Sequence, residues 1–359
     1  SKPKSNKAEI EKLLTIADKL YDDKKFDSAF YYYIEVKSIC NPKTDPENFV
    51  STLNSMAEIQ RYHGDYDGSE LTLTEAIHYL KYVKKQKHIW NTYIEFGNTF
   101  LCKSDFNNAF TYYNKALNLK TSEWRKLSAK NNIAVVLLEQ HKYKEALQIY
   151  LSLSKRKEII EVTENYAKVL DNIGFCYFKI GDPQALLYFN KALQLSNKIN
   201  DIWEAGKIYL HLSKFHQINN SGLSSEYALL SYKKYSTIKD ADGRMSALKQ
   251  LINNSKDHEL KKYSLLYINI NDSITEVRQK SKNQFAKIKY DSKKEKEENL
   301  KLKTNKAENE LQLERQKNRN ITSYILMVLS LSLIVVLYFY LTSRGNREKI
   351  EATYKSETR

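Results

Sequence analysis

The sequence predicts an all-α protein, in which a right-handed solenoid of stacked helical hairpins is followed by a long stalk helix continuous with one membrane-spanning helix. Three observations predict this architecture. The 359 residues include only 9 Gly and 4 Pro, which disfavours turn-rich β folds. Small residues recur at intervals close to 40, which indicates an internal repeat. One apolar run of 21 residues carries no charge, as a transmembrane helix requires.

The repeat is marked by a small residue that occurs six times, at intervals of 40, 40, 37, 40 and 39 residues. These residues are Ala17, Ala57, Gly97, Ala134, Gly174 and Ser213. A small residue on the first helix of a hairpin lets the second helix approach closely, while aromatic side chains fill the space between hairpins. The pattern predicts six repeats over residues 9–238.

The third repeat carries the complete set of anchor residues, which are Tyr93, Phe96, Gly97, Phe100, Ala109, Tyr113 and Ala116. This order of large, small and aromatic residues resembles the tetratricopeptide repeat (TPR). The period near 40 exceeds the usual 34 and predicts helices longer by about one turn. The resemblance implies that the first helices line a concave groove, which binds a peptide or protein ligand.

Certain positions of each first helix point into that groove in the family, and counting from the anchors transfers them to this chain. The resulting groove residues are Asn54, Arg61, Asn98, Asn131, Asp171, Phe175, Lys207 and Lys214. Asn side chains both donate and accept hydrogen bonds and therefore suit a peptide backbone, whereas Arg and Lys suit carboxylates. The alternative is that these residues are ordinary solvated positions of the helices.

The rest of the chain divides by composition. We predict a flexible N-terminus at 1–8, a closing helix pair at 239–271, a charged stalk helix at 272–320, a transmembrane helix at 321–341 and a juxtamembrane segment at 342–359. The stalk lies in a stretch without Gly or Pro between Gly243 and Gly345, and its apolar residues are too sparse for a regular coiled coil. We expect a solvated helix that pairs weakly with a second copy in a homodimer.

The span from Ile321 to Leu341 covers about 31 Å at 1.5 Å per residue, which matches the hydrocarbon core of a bilayer. Its contacts are therefore expected to be membrane lipid. Three basic residues precede the span and three follow it, so the positive-inside rule assigns no orientation. The flanking bases are expected to lie against anionic head groups.

No catalytic residues, cofactor-binding motif or metal-ligand spacing is present in the sequence. The three cysteines are far apart, and the seven histidines form no ligand pair. The formal charge of +15 is dispersed, with 14 basic and 9 acidic residues between Asp272 and Arg319. Because no basic patch with interleaved aromatic residues occurs, nucleic-acid binding is not expected.

The order of repeats, stalk, single span and the tail Arg347–Arg359 resembles the input half of bacterial TPR sensor histidine kinases. The resemblance implies a single-pass protein of the inner membrane of a Gram-negative-type bacterium, with periplasmic repeats and a cytoplasmic C-terminus. These residues contain no kinase core, so a response regulator would be a partner only through a core that they lack. Two alternatives stay open, namely a membrane-anchored TPR adaptor and the input half of a TPR helix-turn-helix transcription regulator.

Overall fold

The computed structural model describes residues 7–357, and all regular elements in this range are helices. The predicted all-α class is confirmed. Most of the predicted flexible segment 1–8 and the last two residues of the juxtamembrane segment lie outside the described residues. The helices are α1 (Lys7–Asp22), α2 (Phe26–Ile39), α3 (Pro46–Tyr62), α4 (Tyr66–Tyr79), α5 (Gln86–Cys102), α6 (Phe106–Leu117), α7 (Glu123–Glu139), α8 (Tyr143–Leu153), α9 (Lys157–Ile160), α10 (Thr163–Ile180), α11 (Gln184–Lys198), α12 (Ile202–His216), α13 (Ser221–Thr237), α14 (Ala241–Asn254) and α15 (Asp257–Glu357).

The first twelve long helices pair into hairpins, which are α1–α2, α3–α4, α5–α6, α7–α8, α10–α11 and α12–α13. Each hairpin also contacts the next one along the chain, so the array is a solenoid. The short helix α9 lies in the connection between the fourth and fifth hairpins.

The small anchor residues are buried where two helices of a hairpin meet. A Cβ atom added to Gly97 would lie 2.3 Å from Cε1 of Tyr113, and one added to Gly174 would lie 2.7 Å from Cδ1 of Phe189. Both aromatic side chains are fully buried. Helix packing at this distance therefore requires a residue without a side chain.

The turn between the two helices of each of the first five hairpins contains one residue in the left-handed region. These residues are Lys24 (φ 59°), Gly64 (φ 78°), Ser104 (φ 58°), His141 (φ 61°) and Gly181 (φ 78°). They recur with the same spacing as the small anchors. Three of the five positions therefore hold residue types for which this conformation is strained.

The apolar core consists of three clusters of buried side chains. The largest runs through the third to sixth hairpins, a second joins the first two hairpins, and a third lies between α13, α14 and the beginning of α15. Phe285 of α15 also belongs to the second cluster, although the other buried members of this cluster lie between Ile10 and Val83 in the sequence. The early part of α15 is therefore packed against the solenoid.

Two compact units divide the chain, and the first ends at Lys289. Within it, Phe285 is fully buried and its ring lies 4.6 Å from that of Phe30. Arg278 of α15 binds Asp242 at 2.8 Å and also packs over Gly64. The sequence analysis predicts this segment as part of a solvated stalk. The structure differs because Phe285, in a segment rich in charged residues, is buried in an apolar site between α2 and the α3–α4 turn.

The closing helix pair predicted at 239–271 also differs from the observed structure. Helix α14 ends at Asn254, and its expected partner is the first part of α15, which runs from Asp257 to Glu357 without interruption. Tyr263, Leu266, Tyr267 and Ile270 of this part pack on the third cluster. The stretch between Gly243 and Gly345 has no Gly or Pro, which favours a helix without a break in this part of α15.

The second unit, Tyr290–Arg359, is helical throughout its described part. Within residues 7–357, α15 is the one helix that is long and apolar enough to cross a membrane by length and composition. The large apolar side chains between Ile321 and Leu341 are 52% to 71% exposed. An exposed apolar surface of this size is typical of a segment that meets lipid or another protein.

Candidate functional site

All eight predicted groove residues lie on the first helices of hairpins, which are neighbours of one another in the solenoid. We call the surface formed by α3, α5, α7, α10 and α12 the first-helix face. The predicted residues fall into two groups on it. Asn54, Arg61 and Asn98 lie on α3 and α5, whereas Asn131, Asp171, Phe175, Lys207 and Lys214 lie on α7, α10 and α12.

The first group is engaged in contacts between hairpins. Arg61 donates from Nε and Nη2 to Oε2 of Glu95, at 3.1 and 3.0 Å. Asn98 donates to Oε1 of Glu95 at 3.1 Å and accepts from the hydroxyl of Tyr113 at 2.8 Å. Asn54 is 6% exposed and accepts from Thr92 at 3.0 Å. These polar groups join α3, α5 and α6, so a ligand would have to replace existing bonds to use them.

The second group contains a buried charged cluster, formed by Asp171, Glu204, Lys207 and His211. Asp171 is fully buried and accepts from Nδ1 of His211 at 2.8 Å, while its second oxygen is 3.0 Å from Nζ of Lys207. Lys207 also donates to Oδ1 of Asn172 at 3.1 Å. The cluster therefore ties α12 to α10.

The charges of this cluster follow from burial and proximity. Burial opposes ionisation of Asp171, but the imidazole of His211 and the ammonium of Lys207 hold its pKa below the ordinary value. Burial lowers the pKa of His211, and the carboxylate of Asp171 offsets this only in part. The ion pair at neutral pH is therefore Asp171 with Lys207, and neutral His211 donates its Nδ1 hydrogen to Asp171.

Glu204 is the member of the cluster without a hydrogen-bond partner. Its side chain is fully buried, and neither carboxylate oxygen accepts a hydrogen bond from the described part of the chain. The nearest cation is Lys207, whose Nζ is 3.6 Å from Oε1 of Glu204. Burial raises the pKa of Glu204 to about 7.

An open cavity of about 310 Å³ lies directly beside Glu204, between α7, α10 and α12. Its polar lining includes Asn131, Asn165, Asn172, Lys168, Lys207 and Glu204. Its apolar lining includes Trp124 and Trp203, which are each about half exposed at 49% and 46%. The cavity combines an apolar wall with a few converging polar groups, as binding sites for small ligands or side chains do.

A second cavity of about 530 Å³ shares Val135, Asn172, Trp203 and Lys207 with the first. It contains Phe175, whose ring stacks on His211 with 4.5 Å between centroids. Lys179 and Lys214 contribute two further cations, against one carboxylate from Glu139. Burial lowers the pKa of Lys214, and the neighbouring Lys179 lowers it further. This end of the first-helix face is basic.

Several residues of this site were not predicted from the sequence, among them Glu204, Asn172 and His211. One signal was available, because Asp171 and His211 are separated by one repeat period and carry complementary groups. Glu204 precedes Lys207 by three residues and so shares its helix face. Its lack of a partner depends on the packing of α10 against α12 and has no sequence signal.

The arrangement suits binding. Within residues 7–357, no cluster of three or more His, Cys, Asp or Glu side chains is placed to hold a metal ion. What the site offers is hydrogen bonds from Asn amides, charges of both signs and aromatic walls along one continuous face.

The chain was compared with known proteins. No protein-family model matches it, and no curated protein is similar to it. Solved structures do resemble it. Aspartyl phosphate phosphatase F from Bacillus subtilis has a TM-score of 0.50 at 14% identity, over 70% of this chain and 72% of the other. The apo form of RapI has a TM-score of 0.51 at 13% identity, over 69% and 99%.

The fold is a TPR solenoid. A putative kinesin light chain from Podosopora anserina, with nearly identical TPR-like repeats, matches with a TM-score of 0.46 at 10% identity, over 55% of this chain and 99% of the other. The conclusion rests on the two former structures together with the six hairpins. At these identities the likeness concerns the fold alone. A TPR solenoid presents an extended surface for a protein partner.

Proposed function

We propose that this chain is the input region of a single-pass membrane receptor of the sensor histidine kinase type. The TPR solenoid binds a peptide or protein on its first-helix face, and α15 relays the binding event to a C-terminal output. The observation that carries this proposal is the contact of α15 with both ends of the solenoid. Leu266 and Ile270 pack on the third cluster beside the sixth hairpin, while Phe285 is buried against the first two hairpins.

This double contact supports a relay for a mechanical reason. The curvature of a solenoid follows from a small rotation per repeat, so small changes of that rotation add up along the array. A helix attached near both ends must shift or detach when the distance between those ends changes. Two arrangements of α15 would then be the states between which the ligand selects.

The membrane assignment is supported by the exposed apolar side chains from Ile321 to Leu341 and by the length of that run. We propose an inner-membrane location with the repeats in the periplasm, the C-terminus in the cytoplasm and a homodimer as the signalling unit. Replacing Leu329, Leu333 and Val336 by Lys tests the span. Each Lys costs about 3 kcal/mol near the bilayer centre, so this variant should leave the membrane fraction on alkaline extraction.

The matched control replaces Leu300, Leu302 and Leu311 by Lys, outside the apolar run, and should stay in the membrane. Orientation is tested by fusing one reporter to each end of the chain. If the N-terminal reporter is cytoplasmic and the C-terminal one is not, the receptor proposal is wrong and the anchored adaptor takes its place. If both ends report the same compartment, residues 321–341 do not span the membrane and both are wrong.

The relay is tested with a helix-breaking pair. Leu300→Gly with Lys301→Gly weakens α15 by about 2 kcal/mol, whereas the matched Ala pair preserves the helix. The readout is cross-linking between two copies through Ser343→Cys, in membranes and with the three native cysteines replaced by Ser. A peptide selected by binding to the full chain should change the cross-linking in the Ala variant and have no effect in the Gly variant. An equal change in both variants contradicts the relay.

A further inference from the structure

Both carboxylate oxygens of Glu204, a buried residue of the first-helix face, lack a hydrogen-bond donor within the described residues. A fully buried carboxylate costs several kcal/mol unless a counter-ion and hydrogen bonds compensate for the lost hydration. Its two oxygens accept no hydrogen bond within the described residues and are closed to solvent, while Glu204 is one of the residues that line the open cavity between α7, α10 and α12. The wall of the cavity therefore contains a buried acceptor that lacks a hydrogen-bond donor.

The neighbouring charges do not complete this site. Lys207 is 3.0 Å from Asp171 and 3.1 Å from Asn172, which are closer than its 3.6 Å separation from Glu204. Lys168 lines the cavity but donates to Glu164. Two buried carboxylates, Asp171 and Glu204, thus share one ammonium. Ionisation of both leaves one negative charge in excess.

We propose that this cavity binds a cationic side chain of the ligand, an ammonium or a guanidinium, with Glu204 as its counter-ion. The inference rests on the proposed peptide-binding function and names the class of residue that the peptide presents. Once the Glu204 side chain turns its carboxylate toward the cavity, a guanidinium would donate two parallel hydrogen bonds to its two oxygens.

The other walls of the cavity fit the same group. The exposed faces of Trp124 and Trp203 attract a cation through their ring quadrupoles. Leu127, Val135 and Val169 provide apolar contact for the methylene stem of lysine or arginine. The amides of Asn131 and Asn165 line the same cavity and can bond the ligand backbone. A volume of about 310 Å³ accommodates one long side chain.

Binding should be linked to a proton. The groups that act on Glu204 are Lys168 and Asp171 from α10, Asp201 and Lys207 from α12 and its N-terminus, and the phenols of Tyr150 and Tyr235 from α8 and α13. With a pKa near 7, Glu204 is partly protonated at neutral pH. A bound cation favours the ionised form, so the site releases a proton on binding.

The experiment uses the full chain in detergent micelles and two kinds of probe. One is a positional library of N-acetylated pentapeptide amides, and the other is n-butylguanidinium with n-butylurea as its neutral isostere. The variant is Glu204→Gln, and the matched control is Glu226→Gln, which removes an exposed carboxylate of α13. Affinity and proton release are measured by calorimetry at about pH 7 in two buffers of different ionisation enthalpy.

We expect one library position to select arginine or lysine. Replacing that arginine by citrulline should weaken binding at least about tenfold in the native chain and in Glu226→Gln, and less than about twofold in Glu204→Gln. n-Butylguanidinium should bind and release a proton, and n-butylurea should not bind. Glu204→Gln should abolish both effects.

The remaining outcomes separate this inference from the proposed function. Peptides that bind without a basic preference, or whose citrulline effect survives in Glu204→Gln, would overturn the cationic site and leave peptide binding intact. The second result would mean that groups other than Glu204 recognise the arginine. Binding of n-butylguanidinium but of no peptide would support the site and show that the ligand is a free amine or guanidine. Binding of neither probe would overturn both.

Discussion

Phe285 lies against Phe30 with their ring centroids 4.6 Å apart, and both side chains are fully buried. Through this contact the last helix of the chain becomes part of the core of the first two hairpins. Phe285 is thus the fully buried apolar anchor of a stretch that is otherwise rich in Lys and Glu.

Phe285→Ala should detach this part of α15. Truncation of a buried Phe costs about 3 kcal/mol or more, since it removes the apolar contact and leaves a cavity. We expect faster amide hydrogen exchange over residues 272–289 and in α1 and α2. Val277→Ala, at a side chain 54% exposed on the same helix, is the control. Equal protection in both variants would mean that the aromatic contact does not hold the helix.

Glu204 predicts an unusual dependence of stability on pH. Its pKa is about 7 in the folded chain and 4.5 ordinarily, so between these values the unfolded chain has lost a proton that the folded chain keeps. Raising the pH through this window therefore destabilises the fold, by about 3 kcal/mol in total, and the loss is complete above pH 7.

Glu204→Gln removes this dependence of stability on pH. The thermal midpoint of Glu204→Gln relative to the native chain should rise between about pH 4.5 and 7 and then level off. The full chain in micelles, followed by circular dichroism, gives the curve. A difference in thermal midpoint that does not change with pH, or the same rise of the midpoint in Glu226→Gln, would be inconsistent with a buried protonated carboxyl at Glu204.

Asp171→Asn should be strongly destabilising. The substitution removes the nearer counter-ion of the Lys207 ammonium, whose side chain is only 25% exposed, and leaves Glu204 at 3.6 Å; loss of one partner of a buried pair costs about 3 kcal/mol. Adding Lys207→Met should restore part of the loss, and urea unfolding of both variants measures the coupling. Asp242→Asn is the control, because the pair of Asp242 with Arg278 is exposed and worth less than about 1 kcal/mol. A loss in Asp171→Asn as small as in the control would argue against a buried ion pair.

Gly97→Ala tests the packing within a hairpin. The new Cβ would lie 2.3 Å from the ring of Tyr113, and the resulting displacement should cost about 1–3 kcal/mol despite the better helix propensity of Ala. Gly222→Ala meets only Asn220 Oδ1 at 3.5 Å and should be neutral or slightly stabilising. Urea midpoints of the two variants give the comparison. Equal midpoints would show that the hairpin relaxes without cost.

The repeat could be predicted because its cause is local. Ala17, Ala57 and Ala134 recur with the period of the hairpins and are all fully buried, as close helix packing requires. The position of Phe285 could not be predicted, since nothing in a charged helix indicates which distant surface will receive one aromatic residue. The site was partly predictable. Asp171 and Lys207 could be assigned to the first-helix face from their positions in the repeats. The lack of a hydrogen-bond donor to Glu204 could not be predicted, because it depends on distances between three helices.

The left-handed residues of the turns have a consequence for engineering. Lys24, Ser104 and His141 adopt a conformation that costs residues with a Cβ about 1 kcal/mol, whereas Gly64 and Gly181 adopt it freely. Glycine at those three corners would give all five turns the same unstrained backbone. The natural array is therefore short of the thermal tolerance that its own architecture permits, and glycine at Lys24 and Ser104, which line neither of the two cavities described above, would raise it.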